Sequence, residues 1–384
     1  MGRRVAIVGA GYYGFRPSVP ELSFREMMFE AALRAYEEAG VDPRSDVDAF
    51  ISCQEDFWEG IAIADEFAPE PLGGVLRPTF TVAGDLLQGV AQAVMMIRSG
   101  VFDVVAVESH SKQSDIRTLN SIMELALDPL LVRPLRPGNP LFMAGLDMQA
   151  YLARTGADPD LVSLFAVKNR SNGLFNPRAS YASRITLDMV RESGYVMYPI
   201  RRLEAAGYAD GAVVFVLAAD EVARRLTDSP VWVDGVGYAS ETGTGSVFLH
   251  EWGRMPSARV AVRMALSMAG LEPSDIEAVE VEDRFAFLEP LFLEEAGLAG
   301  EGQATELLEH GDLSPGAVLQ SNASGGSQSI GVLLEATGGA RLLEAYLQLL
   351  GAAEYPSGDV SRMLVASWRG PPTYTSMAVV LSSE

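Results

Sequence analysis

Two adjacent carboxylates, Glu282 and Asp283, stand at the end of an apolar run and are the residues best suited to proton transfer. Burial beside apolar neighbours would raise the pKa of Glu282 and suit it to act as a general base or acid. An ion pair with Arg284 would lower that pKa instead. We therefore expect Glu282 to be either a catalytic group or a strand-end carboxylate bonded to backbone N–H groups. Asp283 is a second catalytic candidate, with a structural role as the alternative.

Thiol and imidazole groups are scarce in this chain. Because Cys53 is the single cysteine, an internal disulfide framework and a Cys-rich zinc site are excluded. We expect Cys53 to be a small packing residue. The three histidines, His110, His250 and His310, are too far apart for a recognisable ligand motif, so no metal is expected. His110 follows a predicted strand and could approach a pocket, or it could be structural. His250 lies in a loop rich in Gly, Thr and Ser that could gate such a pocket.

Two glycine-rich motifs could bring a backbone close to a ligand. Gly9, Gly11 and Gly14 fit the G-x-G-x-x-G dinucleotide fingerprint, which requires a helix to start at the glycines. Prolines 17 and 20 follow instead, so we favour a turn after the first strand over a cofactor site. The second motif, Ser324-Gly325-Gly326, removes the Cβ obstacle and permits close approach of a ligand, with a tight structural turn as the alternative.

Strand-like runs alternate with helical patterns, which predicts an α/β fold. Residues from about 110 to 205 interrupt this order and form an excursion that carries its own helices. The second half repeats the strand–helix order of the first, which suggests an internal duplication into halves 1–220 and 221–384. Strands are predicted at 4–9, 47–52, 77–82, 102–108, 212–218, 231–236, 276–281, 317–320, 363–367 and 376–382, and helices at 21–39, 85–99, 257–269, 285–296 and 329–350.

Composition excludes several classes of protein. The chain has 384 residues, of which 48% are hydrophobic, and this is ordinary for a globular protein. Its net charge of -22 disfavours nucleic acid and anionic membranes as partners. A transmembrane helix needs about 18 or more consecutive apolar residues, and the sequence contains no such run and no signal-peptide pattern. We expect a soluble cytoplasmic protein.

Seven segments, in order along the whole chain, resemble the thiolase superfamily, in particular the branch of archaeal thiolases and the sterol carrier protein x thiolase. The resemblance implies a duplicated five-layer α/β/α/β/α fold, usually dimeric, that binds acyl-CoA thioesters. It also implies that the strand at 77–82 pairs with its copy across a two-fold axis. The segments are 5–9, 97–105, Lys168-Asn169-Arg170 through Asn176-Pro177, Tyr198-Pro199-Ile200, Asp210-Gly211-Ala212, 322–326 and Ala336-Thr337-Gly338.

The positions where thiolases carry catalytic residues hold other residue types here. The resemblance places Leu86 at the nucleophilic cysteine, three residues before Gly89, and Val332 at the activating histidine. It places Glu282 at the oxyanion-hole position and Arg284 where the branch carries a second cysteine. Because leucine cannot form an acyl-enzyme, we do not expect a conventional acetyl-CoA acetyltransferase unless a partner chain supplies the missing groups.

Some members of this superfamily lack the cysteine and cleave a carbon–carbon bond of a CoA thioester by retro-aldol chemistry, beside a small zinc-ribbon/OB-fold protein. The resemblance therefore implies an acyl-CoA lyase with such a partner, although those members place a tyrosine where this chain has Glu282. The alternative is a catalytically silent subunit or acyl-CoA-binding scaffold. No covalently bound cofactor is expected, and acyl-CoA or CoA is the expected ligand, with Ser324, Gly325 and Gly326 in contact with the thioester.

Overall fold

A computed structural model describes residues 3–55, 66–116, 140–241, 250–370 and 375–384. Ten of its strands form one mixed sheet and the other two, β5 and β6, form a hairpin within the excursion. The strands are β1 Val5–Arg16, β2 Ala49–Cys53, β3 Thr79–Val82, β4 Val104–Ser111, β5 Tyr195–Met197, β6 Ile200–Arg201, β7 Asp210–Ala219, β8 Val231–Ser240, β9 Ala278–Val281, β10 Gln320–Ser321, β11 Arg362–Arg369 and β12 Thr375–Ser382.

The sheet repeats one topology twice. Its order is β3-β2-β4-β7-β1 followed by β8-β12-β11-β9-β10. In each half the first two pairings, counted from the centre of the sheet, are antiparallel and the next two are parallel. The halves join where β1 and β8 pair antiparallel. This symmetry is the duplicated thiolase-type α/β fold that the sequence predicted.

Helices fill corresponding places in the two halves. Helix α1 follows β1 and α8 follows β8, while α3 follows β3 and α12 comes after β10. The helices are α1 Phe24–Ala39, α2 Pro69–Leu72, α3 Leu86–Arg98, α4 Pro140–Thr155, α5 Pro159–Asn172, α6 Leu187–Glu192, α7 Asp220–Leu226, α8 Pro256–Ala269, α9 Leu288–Glu295, α10 Ala304–His310, α11 Gly326–Ile330 and α12 Thr337–Leu349. In the part of the chain that the structure describes, no helix has the length and apolar content to cross a membrane.

The core has a central layer and two outer ones. Helices α3 and α12 lie in one apolar cluster together with strand residues from both halves of the sheet. Two further clusters pack the opposite faces, one beneath α1 and one beneath α8 and α9. Helix α3 is buried along most of its length, as its nearly continuous apolar sequence predicts. The two central helices are therefore the elements that can carry residues to a site shared by both halves.

Two sequence-based expectations about the elements were wrong. The first strand does not turn at its glycines but continues to Arg16. A Cβ at Gly9 or Gly11 would lie 2.6 Å or 2.2 Å from backbone oxygens of α1, so these glycines allow the helix to pack closely on the strand. The helix expected at 329–350 is interrupted, because Gly331 has φ 106° and Val332 is extended beside another segment.

Candidate functional site

Glu282 follows β9 directly and is fully buried. One carboxylate oxygen accepts a hydrogen bond from Nε of Arg284, and the other accepts one from the backbone N–H of Trp368 at 3.4 Å. Burial raises the pKa of Glu282, while the Arg284 guanidinium acts in the opposite direction. Both influences expected from the sequence are present, and burial is the larger.

Arg284 is held in place by the same two residues. Its Nη2 donates to the carbonyl oxygen of Trp368 at 3.2 Å, while its Nε bonds Glu282. Burial alone would lower the pKa of Arg284, but the Glu282 carboxylate outweighs it and the pKa is raised. The side chain is 19% exposed. The pair therefore combines a fully buried carboxylate with a fixed, partly exposed cation.

Leu86 opens the central helix α3 and is fully buried in the central core. It packs against α12, where a Cβ at Gly339 would lie 2.9 Å from its Cδ1. The preceding residue, Asp85, caps α3, and burial raises the pKa of its carboxyl to about 7. The charges of Asp85 and Glu282 act on each other. Leu86 thus offers only a hydrocarbon surface, and the nearby ionisable group is Asp85.

Val332 is brought beside Tyr208 by a short backbone pairing. Residues 208 and 332 form a parallel bridge, and the N–H of Val332 donates to the carbonyl of Gly207 at 2.8 Å. Burial raises the pKa of the Tyr208 hydroxyl, and the charges of Arg284 and Glu282 both act on it. Tyr208 therefore adds a phenol to the surroundings of the Glu282–Arg284 pair. Sequence reasoning missed it because nothing in its local sequence marks it.

Asp283 points away from this pair and joins the excursion to the second half. Its carboxylate accepts hydrogen bonds from the side chain of Asn169 at 2.6 Å and from the backbone N–H of Ser327. Burial raises its pKa to about 7, and the nearby Glu289 carboxylate adds to the effect. These contacts match the structural alternative for Asp283, and the structure does not group its carboxylate with that of Glu282.

The motif Ser324-Gly325-Gly326 is buried and makes close contacts with other parts of the protein. The Ser324 hydroxyl donates to Glu280 at 2.6 Å. Gly325 and Gly326 have φ values of 99° and 61°, and a Cβ at Gly326 would lie 2.4 Å from the Asp283 carboxylate. These observations support the alternative of a tight structural turn. Contact with a thioester remains a prediction.

His110 and Cys53 lie on opposite faces of the first half-sheet. Nδ1 of His110 bonds the Glu108 carboxylate at 2.8 Å, and its ring stacks on Phe24. His110 therefore faces the outer layer beneath α1, whereas Leu86 lies in the central layer. Cys53 does face the central layer, but it is fully buried in apolar packing. The structure brings neither residue to the Glu282–Arg284 pair.

His250 joins the excursion to the second half. Its Nε2 lies 3.0 Å from the Asp147 carboxylate of α4, and its Nδ1 lies 3.5 Å from Glu241. Burial alone would lower the pKa of His250, but the two carboxylates outweigh it and raise the pKa to about 9. Residues 242–249 of the proposed gating loop lie outside the described residues, so the gate remains a prediction.

Comparison with known proteins agrees with this architecture. Residues 242–383 match the family described as Thiolase C-terminal domain-like. The chain is 29% identical over 364 residues to an acetyl-CoA acetyltransferase of Methanothermobacter thermautotrophicus, covering 91% of this chain and 92% of that one. It is 27% identical over 382 residues to the steroid side-chain-cleaving aldolase of Thermomonospora curvata, covering 96% and 95%. These matches show that the chain is similar to thiolase-type proteins along most of its length.

Two further proteins are similar to this chain, one in sequence and one in fold. The chain is 26% identical over 387 residues to the 17-hydroxy-3-oxo-4-pregnene-20-carboxyl-CoA lyase of Mycobacterium tuberculosis, covering 96% of this chain and 97% of that one. Its fold matches the Ltp2-ChsH2(DUF35) aldolase with a TM-score of 0.86 at 24% identity, over 99% and 98% of the two chains. The relatives thus include both acyltransferases and lyases, and the residues of the site must discriminate between these activities.

Proposed function

We propose that this chain is an acyl-CoA lyase of the thiolase superfamily that cleaves a carbon–carbon bond of a β-hydroxyacyl-CoA by retro-aldol chemistry. The observation that carries the proposal is the buried Glu282–Arg284 pair. The resemblance to thiolases assigns Glu282 to the position that stabilises the substrate carbonyl. Similarity to proteins named aldolase and lyase, over nearly the whole chain, supports it.

The pair supplies both functions that the reaction requires. Glu282, as the base, removes the proton from the β-hydroxyl group, and the O–H electron pair forms the new carbonyl while the Cα–Cβ bond breaks. The electron pair of that bond passes to the acyl-CoA fragment as an enolate. Arg284 stabilises the enolate oxygen, because a cation favours the negative charge that a carboxylate alone would repel. Protonated Glu282 then returns the proton to Cα, which regenerates the base.

No acyl-enzyme is required, and this agrees with leucine at position 86 and valine at position 332. The acyl-CoA or CoA thioester is the ligand, with no covalently bound cofactor. We further propose a small zinc-ribbon/OB-fold protein as the partner and a homodimer as the assembly. An aldolase of similar fold is named as a complex with a DUF35 chain, and this supports the choice of partner.

The test is turnover of a panel of β-hydroxyacyl-CoA thioesters by protein purified from its native host, so that any partner chain is retained. The wild type is compared with Glu282→Gln and with the matched control Glu204→Gln, which removes another buried carboxylate that bonds Ser163. Loss of proton transfer typically lowers a rate by about 10²–10⁴-fold. We expect that loss in Glu282→Gln and little change in the control. Equal rates in all three proteins would remove Glu282 from the mechanism.

A second function is a catalytically silent subunit that binds acyl-CoA. The replacement of the family's nucleophile and histidine by Leu86 and Val332 favours it, because both new side chains are apolar and buried. Binding of acyl-CoA without turnover of any thioester in the panel would support this function. Measurable turnover that depends on Glu282 would rule it out.

A further inference from the structure

The two central helices direct their N-termini at a single carboxylate, that of Asp85. Its Oδ1 accepts a hydrogen bond from the backbone N–H of Leu87 in α3 at 2.9 Å, and its Oδ2 accepts one from the N–H of Gly338 in α12 at 2.8 Å. Helix N-termini carry a partial positive charge that favours an anion. Asp85 therefore caps one helix from each half of the duplicated fold at the same time.

A third hydrogen bond ties this carboxylate to the sheet. The hydroxyl of Ser367, in β11, donates to Oδ1 of Asp85 at 2.7 Å. A Cβ at Gly338 would lie 2.0 Å from that carboxylate oxygen and 2.4 Å from the Ser367 hydroxyl, so the contact leaves no space for a side chain. Asp85 is 1% exposed. The contact between Asp85, Ser367 and Gly338 is therefore closely packed and buried in the interior.

The strand that donates this bond, β11, also bonds the candidate catalytic pair. Ser367 bonds Asp85, and the next residue, Trp368, bonds Glu282 through its N–H and Arg284 through its carbonyl. A shift of β11 at Ser367 would therefore move both backbone groups that position the pair. Asp85 and Glu282 are connected through adjacent residues of one strand.

We propose that Asp85 is a positioning residue of the candidate site: it holds α3, α12 and β11 together so that the Trp368 backbone keeps Glu282 and Arg284 in place. Its role in turnover rests on the proposed lyase function, whereas its effect on Glu282 does not. The contact also explains why Gly338 has no side chain, which its place in a helix does not require.

Besides positioning the pair through β11, Asp85 affects the ionisation of Glu282 through its charge. Burial raises the pKa values of both carboxyls, and the Glu282 carboxylate raises the pKa of Asp85 further. The other charged or titratable groups that face these two are Arg284, Arg341, Tyr208 and Cys53. Because repulsion between two like charges is mutual, we expect replacement of Asp85 by a neutral residue to make Glu282 ionise at lower pH.

The experiment follows the ionisation of Glu282 by carbon NMR in protein labelled at the glutamate side-chain carboxyl, with the signal assigned from Glu282→Gln. Asp85→Asn is compared with the wild type and with the control Asp147→Asn, which neutralises a buried carboxylate that contacts His250 instead. We expect the Glu282 midpoint to fall by about 0.5–1 pH unit in Asp85→Asn, as removal of a nearby like charge predicts. It should not move in the control.

Asn presents only one acceptor oxygen, so Asp85→Asn also leaves one helix N–H unsatisfied and could fail to fold. Ser367→Ala provides a second variant, because it keeps both helix contacts and removes only the bond to β11. We expect a smaller change in the Glu282 titration in this variant. A Glu282 titration identical to the wild type in every folded variant would overturn the proposal. If the wild type turns over substrate but the Glu282 titration does not move in the variants, only the positioning role is refuted. If the Glu282 titration moves in the variants but no protein turns over substrate, only the lyase function is refuted.

Discussion

At the scale of single residues, the surroundings of Cys53 decide its reactivity. Burial raises the pKa of its thiol well above the usual value, and its sulfur would lie 2.3 Å from a Cβ built at Gly89. Only the thiolate is nucleophilic, so this group should not accept an acyl chain. We expect incubation with acetyl-CoA or acetoacetyl-CoA to leave the intact mass unchanged after desalting. A stable gain of one acetyl group on a side chain of the site would contradict this.

His250 should give the protein a pH-dependent contribution to stability. Its pKa is raised from an ordinary value of 6.5 to about 9 by Asp147 and Glu241, against the effect of burial. A raised pKa in the folded state stabilises fully below about pH 6.5, and the contribution is lost as the pH rises through about 9. A shift of this size corresponds to at most about 3 kcal/mol.

The measurement is the difference in thermal midpoint between the wild type and His250→Gln from pH 6 to pH 10. We expect the difference to be largest near pH 6, to shrink between about pH 6.5 and pH 9, and to be small at pH 10. Glu241→Gln, which removes one of the two carboxylates, should show an intermediate difference. A difference that stays constant across the range would mean that the imidazole does not gain its charge from these partners.

The residues of the site were predictable only where the chain itself brings them together. Arg284 follows Glu282 by two positions, so the opposing effects of burial and ion pairing on the pKa of Glu282 could be anticipated. Trp368, Tyr208 and Asp85 reach the same place from distant parts of the chain. Their roles depend on strand order and helix direction, which local sequence patterns do not encode.

At the scale of elements, close packing explains both the successes and the errors of sequence reasoning. The continuous apolar sequence of α3 predicted burial from several sides, and most of its apolar side chains are buried, although Met95 is 52% exposed. The glycines of β1 suggested a turn, but they serve a strand that lies against α1. Glycine permits both outcomes, and the choice between them depends on the neighbouring helix. Periodicity alone therefore could not place the end of β1.

The packing of α3 on β2 can be tested with a pair of substitutions. A Cβ at Gly89 would approach both the sulfur of Cys53 at 2.3 Å and a methyl group of Val107 at 2.9 Å. Overpacking of this kind costs typically about 1–3 kcal/mol. We expect Gly89→Ala to lower the free energy of unfolding in urea by that amount, and Cys53→Ala alone to have a small effect.

The double variant separates this contact from general damage to the helix. Cys53→Ala removes the sulfur, so part of the cost of Gly89→Ala should disappear when both changes are present. The remaining cost reflects Val107. Strictly additive effects would show that α3 does not press on Cys53 in solution.

At the scale of the whole molecule, the internal duplication was the most predictable feature. Alternating strands and helices in both halves indicated a duplication, and the sheet repeats the same five-strand arrangement twice. The excursion was recognised because its Pro, Arg and Asn content breaks that alternation. Its contacts, such as Asn169 with Asp283, could not be predicted because they join segments with no common pattern.

The assembly is predicted to be a dimer formed through the edge of the first half-sheet. Within the described residues, β3 is the last strand of the sheet and pairs only with β2. Phe80 on this strand is 38% exposed, and the preceding Val75 and Leu76 are 59% and 100% exposed. An exposed apolar edge strand favours pairing with another chain. Antiparallel pairing of β3 with its copy would continue the sheet across a two-fold axis and cover these side chains.

Such an interface in an obligate dimer buries about 2,000 Å² or more, so it should persist at micromolar concentration. Light scattering of the wild type should therefore give the mass of two chains. Phe80→Asp places a charge in the paired edge and should shift the mass toward that of one chain. Phe175→Asp is the control, because Phe175 is an aromatic residue on the excursion that is 61% exposed. A wild type that is monomeric at micromolar concentration refutes the prediction, and equal dissociation by both variants would show that β3 is not the interface.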